Sequence, residues 1–229
     1  LRIRWYGHAS FHVASTIEGR SVFLDPFGKM DALIAGRGAQ FDYPPIAGVA
    51  ADLVLVTHEH MDHNGVEAIA GDPTVIRAVG GTLESPVGPV TAVVGDHDTV
   101  AGTQRGMNTI FAFHLEGLRL AHFGDYGQAS LRTEQEAALG RVDLLFVPVG
   151  GGPTIDAEGA AELVRRLRPR FVVPMHYRST AVNFLSPVDP FVARYDRVVR
   201  LSDAAFDTAD LPQPSGDEPV VVVPAVPRA

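Results

Sequence analysis

The chain contains no cysteine. That excludes disulfides and thiolate metal sites, and it leaves histidine and the carboxylates as the strong metal ligands available. No apolar run reaches membrane-spanning length, and the N-terminal end shows no basic-then-apolar leader. On that reading the protein is expected in the cytoplasm, with no membrane partner. Positive charge is also scarce: 19 Lys and Arg stand against 27 Asp and Glu, a net charge of −8. A nucleic-acid substrate would need a basic face to offset that balance. None is read from the sequence, so no nucleic-acid partner is expected. A neutral substrate, or a small anion held by metal ions, is easier to reconcile with these numbers.

What is present is an ordinary globular content, 46% hydrophobic and 20% charged residues over 229 positions. The chain is read as one domain, residues 1–229, and a homo-oligomer is compatible with it. The N-terminal part reads as a β meander, with Arg2–Trp5 alternating and further short strands at Ser10–Ala14 and Ser21–Leu24. The Gly- and Pro-rich stretch Gly28–Gly48 reads as an irregular loop. A buried strand is predicted over Ala51–Thr57 and a short helix from Val66 to Ala70. Further strands are expected at Thr74–Ala78, Val90–Val94, Thr109–Leu115, Leu118–Phe123, Val142–Val149 and Phe171–His176. Ala160, Leu163, Val164 and Leu167 recur at helical spacing over Asp156–Arg168, with Thr154 or Asp156 as the cap and Pro169 as the stop. In the acidic, Pro-rich tail only Val220–Val223 reads as ordered, as an edge strand.

Two segments share a plan. Thr16–Asp25 and His114–Asp125 each run strand, Glu-Gly turn, strand, Asp. This predicts an internally duplicated α/β fold of two halves packed sheet against sheet.

The chemistry concentrates at Thr57-His58-Glu59-His60-Met61-Asp62-His63. Three imidazoles and a carboxylate follow directly on an apolar strand. Such groups suit Zn²⁺, Mn²⁺ or Fe²⁺, and they are costly to hold together unless a cation neutralises them. The run is not the zincin motif, because the second histidine comes too early for one helix face. Further candidates sit after other predicted strands: His97, Asp125 and His176. Strands aligned one way would bring these ends to one rim, where active sites of α/β sheets commonly lie.

With those motifs the chain resembles the metallo-β-lactamase-fold hydrolases, and it is similar to their small bacterial branch that includes the ascorbate-phosphate lactonase relatives. The resemblance is carried by Gly7-His8-Ala9-Ser10-Phe11, Leu24-Asp25-Pro26, the His58–His63 run, His97-Asp98 with Arg105–Asn108, His122–Asp125, Pro148–Gly151, Thr154–Asp156 and Pro174–Tyr177. It implies an αβ/βα four-layer sandwich and two divalent metal ions per chain, Zn or Mn. It implies that His58, His60 and His97 hold one metal, that Asp62, His63 and His176 hold the other, and that Asp125 bridges them. A hydroxide shared by two cations roughly 3.5–4 Å apart would attack a small ester, lactone or phosphate ester, with Asp62 as the catalytic residue that aims it. Asp25, Asp98 and backbone carbonyls are the expected acceptors for the outer ring nitrogens.

Arg105 is a candidate grip for an anionic substrate group, or a brace for its own loop. His8 is read either as a structural turn histidine or as a substrate-side residue. His12, His114 and His122 are expected to pack or to lie on the surface. The glycines Gly150–Gly152 are read as a bend that lets the loop pass close to the metals. Two other functions remain open at this stage: mono-iron thiol or persulfide dioxygenase chemistry, and a non-catalytic metal-binding sensor.

Overall fold

Continuous apolar runs need cover on both faces, and the chain supplies it with two sheets packed face to face. The computed structural model describes residues 1–30, 38–216 and 218–228. The first sheet contains β1 (Arg2–Gly7), β2 (Ser10–Ala14), β3 (Ser21–Leu24), β4 (Leu53–Val56) and β5 (Thr74–Arg77). The second begins with β6 (Gly81–Leu83), β7 (Val90–Asp96), β8 (Met107–Leu115), β9 (Leu118–His122), β10 (Leu144–Pro148) and β11 (Phe171–Met175). In the first sheet β1, β2 and β3 pair antiparallel and β3, β4 and β5 parallel. In the second, β7, β8 and β9 pair antiparallel and β9, β10 and β11 parallel. The same five-strand plan thus occurs twice, as the two Glu-Gly hairpins predicted. Glu116 and Gly117 both take positive φ, 49° and 72°, as a tight two-residue hairpin requires.

The tail departs from expectation. β12 (Val198–Arg200) and β14 (Val220–Val223) extend the second sheet in the order β12-β14-β11, so β14 is an interior strand and not an edge. All four of its valines are buried. β13 (Ala205–Asp207) crosses to the first sheet and pairs with β1.

Regular helices are few among the described residues: α1 (Thr133–Leu139), α2 (Ala157–Leu167) and α3 (Asp189–Val192). α2 is the helix predicted. Asp156 caps it by accepting from Glu158 N and Gly159 N, both at 3.0 Å, and the four apolar residues at helical spacing are its buried face. The helix expected at Val66–Ala70 is a single 3₁₀ turn, Val66–Ala68. Of the loop Gly28–Gly48, residues 31–37 lie outside the described residues; the remainder has no regular element beyond an isolated bridge from Phe41 to Val182. No helix among the described residues is long and apolar enough to cross a membrane.

One basic run corrects the reading of the sequence. Arg165, Arg166, Arg168 and Arg170 close α2 and open β11. They lie at the amino end of β11, the end away from His176, and Arg166 is committed to Glu136 and to the carbonyl of Leu131. They offer no cationic surface to the rim described next.

Candidate metal centre

Strand direction builds the site. β3, β4, β7, β9, β10 and β11 end on the rim between the sheets, and the β1–β2 turn reaches the same rim because β2 runs against β3. Asp25 follows β3, His58 follows β4, His97 follows β7, Asp125 follows β9 and His176 follows β11. His8, Asp25 and His176 all adopt positive φ, 53°, 43° and 51°. Left-handed non-glycine residues cost roughly 1–3 kcal/mol each and persist where the surroundings demand them.

Three sets of side chains bring ligand atoms within 4.8 Å of one another: His58, His60 and His97; His58, His63 and Asp125; and His8, His63 and His176. Asp125 links them. Its Oδ1 is 3.2 Å from His63 Nε2 and 3.3 Å from His176 Nε2, and its Oδ2 is 3.4 Å from His97 Nε2. Asp62 Oδ2 is 3.8 Å from His63 Nε2. His60 is the exposed member, its Nδ1 3.2 Å from His97 Nε2.

The outer nitrogens of three of the histidines are fixed, while Nδ1 of His176 is buried without a hydrogen-bond partner. His63 Nδ1 donates to Asp25 Oδ2 at 2.9 Å. The Thr57 hydroxyl donates to the same oxygen at 2.7 Å and receives His58 Nδ1 at 3.1 Å. His97 Nδ1 donates to the Pro153 carbonyl at 3.2 Å. In each case this leaves the inward Nε2 as the atom offered to a metal, which for His63 would take the place of a proton. His58 Nε2, His63 Nε2 and Asp125 Oδ1 are buried without any hydrogen-bond partner. Orphaned buried atoms are costly and rare, and these converge. Neutral imidazoles with carboxylates form a donor set that fits divalent transition metals.

Electrostatics agree. Burial opposes a charge on His63, yet the carboxylates of Asp125, Asp62 and Asp25 outweigh it and hold its pKa well above the ordinary value. Burial likewise opposes ionisation of Asp125, but His176 and His63 hold its carboxyl well below the usual range. Asp62 is lowered against its own burial by His63 and His8. Burial, reinforced by His63, pushes His58 down to about 3.

The remaining predicted residues fall as follows. His8 is fully buried behind Asp62, with Nε2 donating to Asp62 Oδ2 at 3.1 Å and its ring 4.2 Å from that of His176. Arg105 is exposed and lines a cavity of about 600 Å³ together with His60, Asp62, His97, Asp125 and His176. Its side chain makes no hydrogen bond or ion pair among the described residues; only its backbone N–H is held, by Asp98. Contrary to expectation, Asp98 is not the outer partner of a ligand. It accepts from the backbone of Val100, Gly102, Gln104 and Arg105 and so fastens its own loop. His122 is buried and bonds the Ala9 carbonyl at 2.9 Å, a packing role as expected. Gly150 passes so close to the end of β11 that a Cβ there would lie 2.1 Å from the His176 carbonyl oxygen, so the glycine is required by the backbone that carries this histidine.

The sequence reading gave no role to Thr57, Asn108 or Pro153. Asn108 accepts from the Asp125 backbone N–H at 2.9 Å and donates to the Phe123 carbonyl at 2.8 Å. Thr57 stands directly before the histidine run and Asn108 two residues past Gly106, so proximity to the motifs was the available signal.

Comparison with known proteins agrees with this geometry. Residues 2–176 match the β-lactamase superfamily domain. The chain is 31% identical to a UPF0173 protein of Pyrococcus abyssi over 200 residues, 77% of this chain and 83% of that one. It is also 31% identical to a UPF0173 metal-dependent hydrolase of Nitratidesulfovibrio vulgaris, over 77% and 80% of the two chains. Among solved structures it superposes on a Thermotoga maritima protein assigned to the zinc-dependent hydrolases of the metallo-β-lactamase superfamily. The TM-score is 0.76 at 30% identity, with 97% of each chain covered. With the repeated five-strand plan and the histidine–aspartate rim, these matches place the chain in the metallo-β-lactamase superfamily, within the UPF0173 family of metal-dependent hydrolases.

Proposed function

We propose that the chain hydrolyses a small ester, lactone or phosphate ester at a two-metal centre. His58, His60 and His97 would hold one divalent ion, Asp62, His63 and His176 the other, with Asp125 between them and Zn or Mn as the metals. The observation that carries this reading is the division of labour within Asp125: Oδ1 faces His63 and His176 while Oδ2 faces His97. A carboxylate so placed offsets the repulsion of two cations.

When bound, such ions polarise the substrate carbonyl or phosphoryl oxygen and make water acidic enough to act as a nucleophile near neutral pH. The protein's own residues do the rest. Asp62 lines the cavity as an ionised carboxylate, with one oxygen tied to His8, and can accept a hydrogen bond from the attacking water and so aim it. Asp25 and Thr57 hold His63 and His58 in their ligand tautomers. Arg105 stands on the cavity wall, where it would pair with an anionic substituent of the substrate.

Elemental analysis of protein purified under mild conditions tests the proposal. The expected content approaches two Zn or Mn per chain. A stable value of one, unchanged by added Zn²⁺ or Mn²⁺, overturns the two-metal reading. One Fe with oxygen uptake would replace it with redox chemistry.

A further inference from the structure

Beside the metal cavity lies a second one of about 660 Å³ that the hydrolytic chemistry leaves unused. Phe27, Met30, Phe41, Tyr43, Ile46 and Met61 line it, and the first five of these are buried. Lys29 and Glu67 are exposed and line the same space, so the cavity has an apolar interior and a charged outer margin. The two cavities share Met30, Phe41 and Met61 as a common boundary. Met61 stands between His60 and Asp62 in the metal run, and 47% of its surface is exposed. Two of the three shared side chains are thus unbranched thioethers, which adapt their shape to what lies against them. Phe27, Phe41 and Tyr43 form an aromatic group with ring centroids 5.2–6.1 Å apart, Phe41 standing edge-on to the other two. That packing makes the aromatic part of the lining firm, with Phe41 joining it to the boundary shared with the metal cavity. An apolar recess of this volume beside a polar reaction centre is the common plan of small-molecule sites.

We infer that this chamber is the acyl subsite: the substrate is an ester or lactone whose medium-length alkyl chain enters the recess past Met61 while its carbonyl lies at the metal cavity. The inference rests on the hydrolase reading above. The observations that point to such a substrate are the shared boundary, the apolar interior and the absence of any buried charged side chain among the described lining residues. Each methylene moved from water into an apolar site is worth about fourfold in binding, so three of them give on the order of sixtyfold.

The test compares p-nitrophenyl acetate with p-nitrophenyl octanoate on the zinc-loaded protein, and follows acetate and octanoate binding by calorimetry without turnover. The expected kcat/KM is at least tenfold higher for the octanoyl ester, and octanoate binds with a negative heat-capacity change while acetate does not. Ala68 also lines the chamber and is half-buried. Ala68→Trp should collapse the octanoyl-to-acetyl ratio and abolish octanoate binding at unchanged metal content. Ile46→Ala should move the preferred chain to decanoyl, which keeps the test open should the tryptophan variant not fold. Equal kcat/KM for both esters, with no octanoate binding, overturns the acyl subsite and leaves the hydrolase standing. Octanoate binding that Ala68→Trp abolishes, with neither these esters nor a lactone or phosphate ester of like chain length turned over, supports the chamber and overturns the hydrolase reading instead.

Discussion

The two halves of the metal centre differ in charge more than in ligand count. On one side stand three imidazoles, His58, His60 and His97, with one of them exposed to solvent. On the other, His63 is enclosed by Asp62, Asp125 and Asp25, whose carboxylates hold its pKa well above the ordinary value. In the first half burial, reinforced by His63, keeps His58 unprotonated down to about 3, and burial lowers His97 as well. The second half demands a positive charge. A cation bound among carboxylates gains far more than one bound among neutral rings. The second half is therefore expected to fill first, and the first half to depend on the charge that Asp125 lends it.

Asp125→Asn breaks this comparison most severely, because the carboxylate serves both sides. Metal content should fall below one per chain, and ester hydrolysis should drop by more than the ~10–100-fold typical of losing an outer partner. Asp25→Asn is the sharper probe. It removes the acceptor behind His63 and should cost about 10–100-fold in affinity on that side, leaving close to one equivalent in the other. Metal titration followed by elemental analysis reads both variants. Full loading of Asp125→Asn would show that the halves do not share that residue.

The metal-free chain should show the same asymmetry as a function of pH. His58 is lowered to about 3, by burial and then His63, and His8 to about 4, by burial and then His176. Below pH 6.5 the unfolded chain accepts protons that these two refuse when folded, so stability falls as pH drops toward 4. Asp25, Asp62 and Asp125 are all lowered, so their contribution is present above 3.8 and is lost only at still lower pH. His63 works in the other direction. Its raised pKa gives stability that is complete below 6.5 and is lost as pH climbs through its folded value. The chelated protein should thus have a maximum melting temperature near pH 6.5. In zinc-loaded protein the alkaline decline should vanish, because the cation takes the place of the proton on His63. A melting temperature of the chelated form that keeps rising through pH 8 would contradict the charge assigned to the second half.

Much of this centre was legible because its ligands stand at the ends of strands. Apolar runs that stop at His58, His97, Asp125 and His176 already imply a common rim once the strands are aligned. What stayed hidden depends on contacts between distant loops. Asn108 reaches the backbone of Asp125, and Thr57 ties Asp25 to His58; neither link has a local pattern. Asp98 misled for the opposite reason. An Asp beside a ligand His suits an outer partner, but it equally suits a turn that it fastens itself, and the turn won. β14 was placed at an edge because its Pro-rich surroundings suggested isolation. Its four consecutive valines carried the better signal, since a continuous apolar run is the pattern of a parallel strand covered on both faces, as in the interior of a sheet. α1 escaped because only Gln135 and Leu139 are buried on it, too few for a periodic stripe.

The smallest expected effect concerns Arg105, and it asks whether the charge asymmetry extends to the substrate. The rim is rich in carboxylates, and Arg105 is the one cationic side chain, histidines aside, among the described residues lining the metal cavity. Asp98 fixes its backbone, while its guanidinium is exposed and has no partner among the described residues. An arginine that braced its loop would spend its side chain on that loop; here the Asp98 carboxylate already does so through four backbone N–H groups. The free guanidinium is therefore available to a substrate anion. A lost charge-assisted contact costs about 1.5–3 kcal/mol, and solvent screening at an exposed position points to the lower end, about tenfold in KM. Arg105→Ala should raise KM for carboxylated or phosphorylated esters by that factor and leave neutral esters nearly unchanged. The melting temperature should stay within a degree or so, as for most exposed substitutions. Equal losses on anionic and neutral esters, with a lowered melting temperature, would return Arg105 to the loop and leave the metals as the only positive charge that the substrate meets.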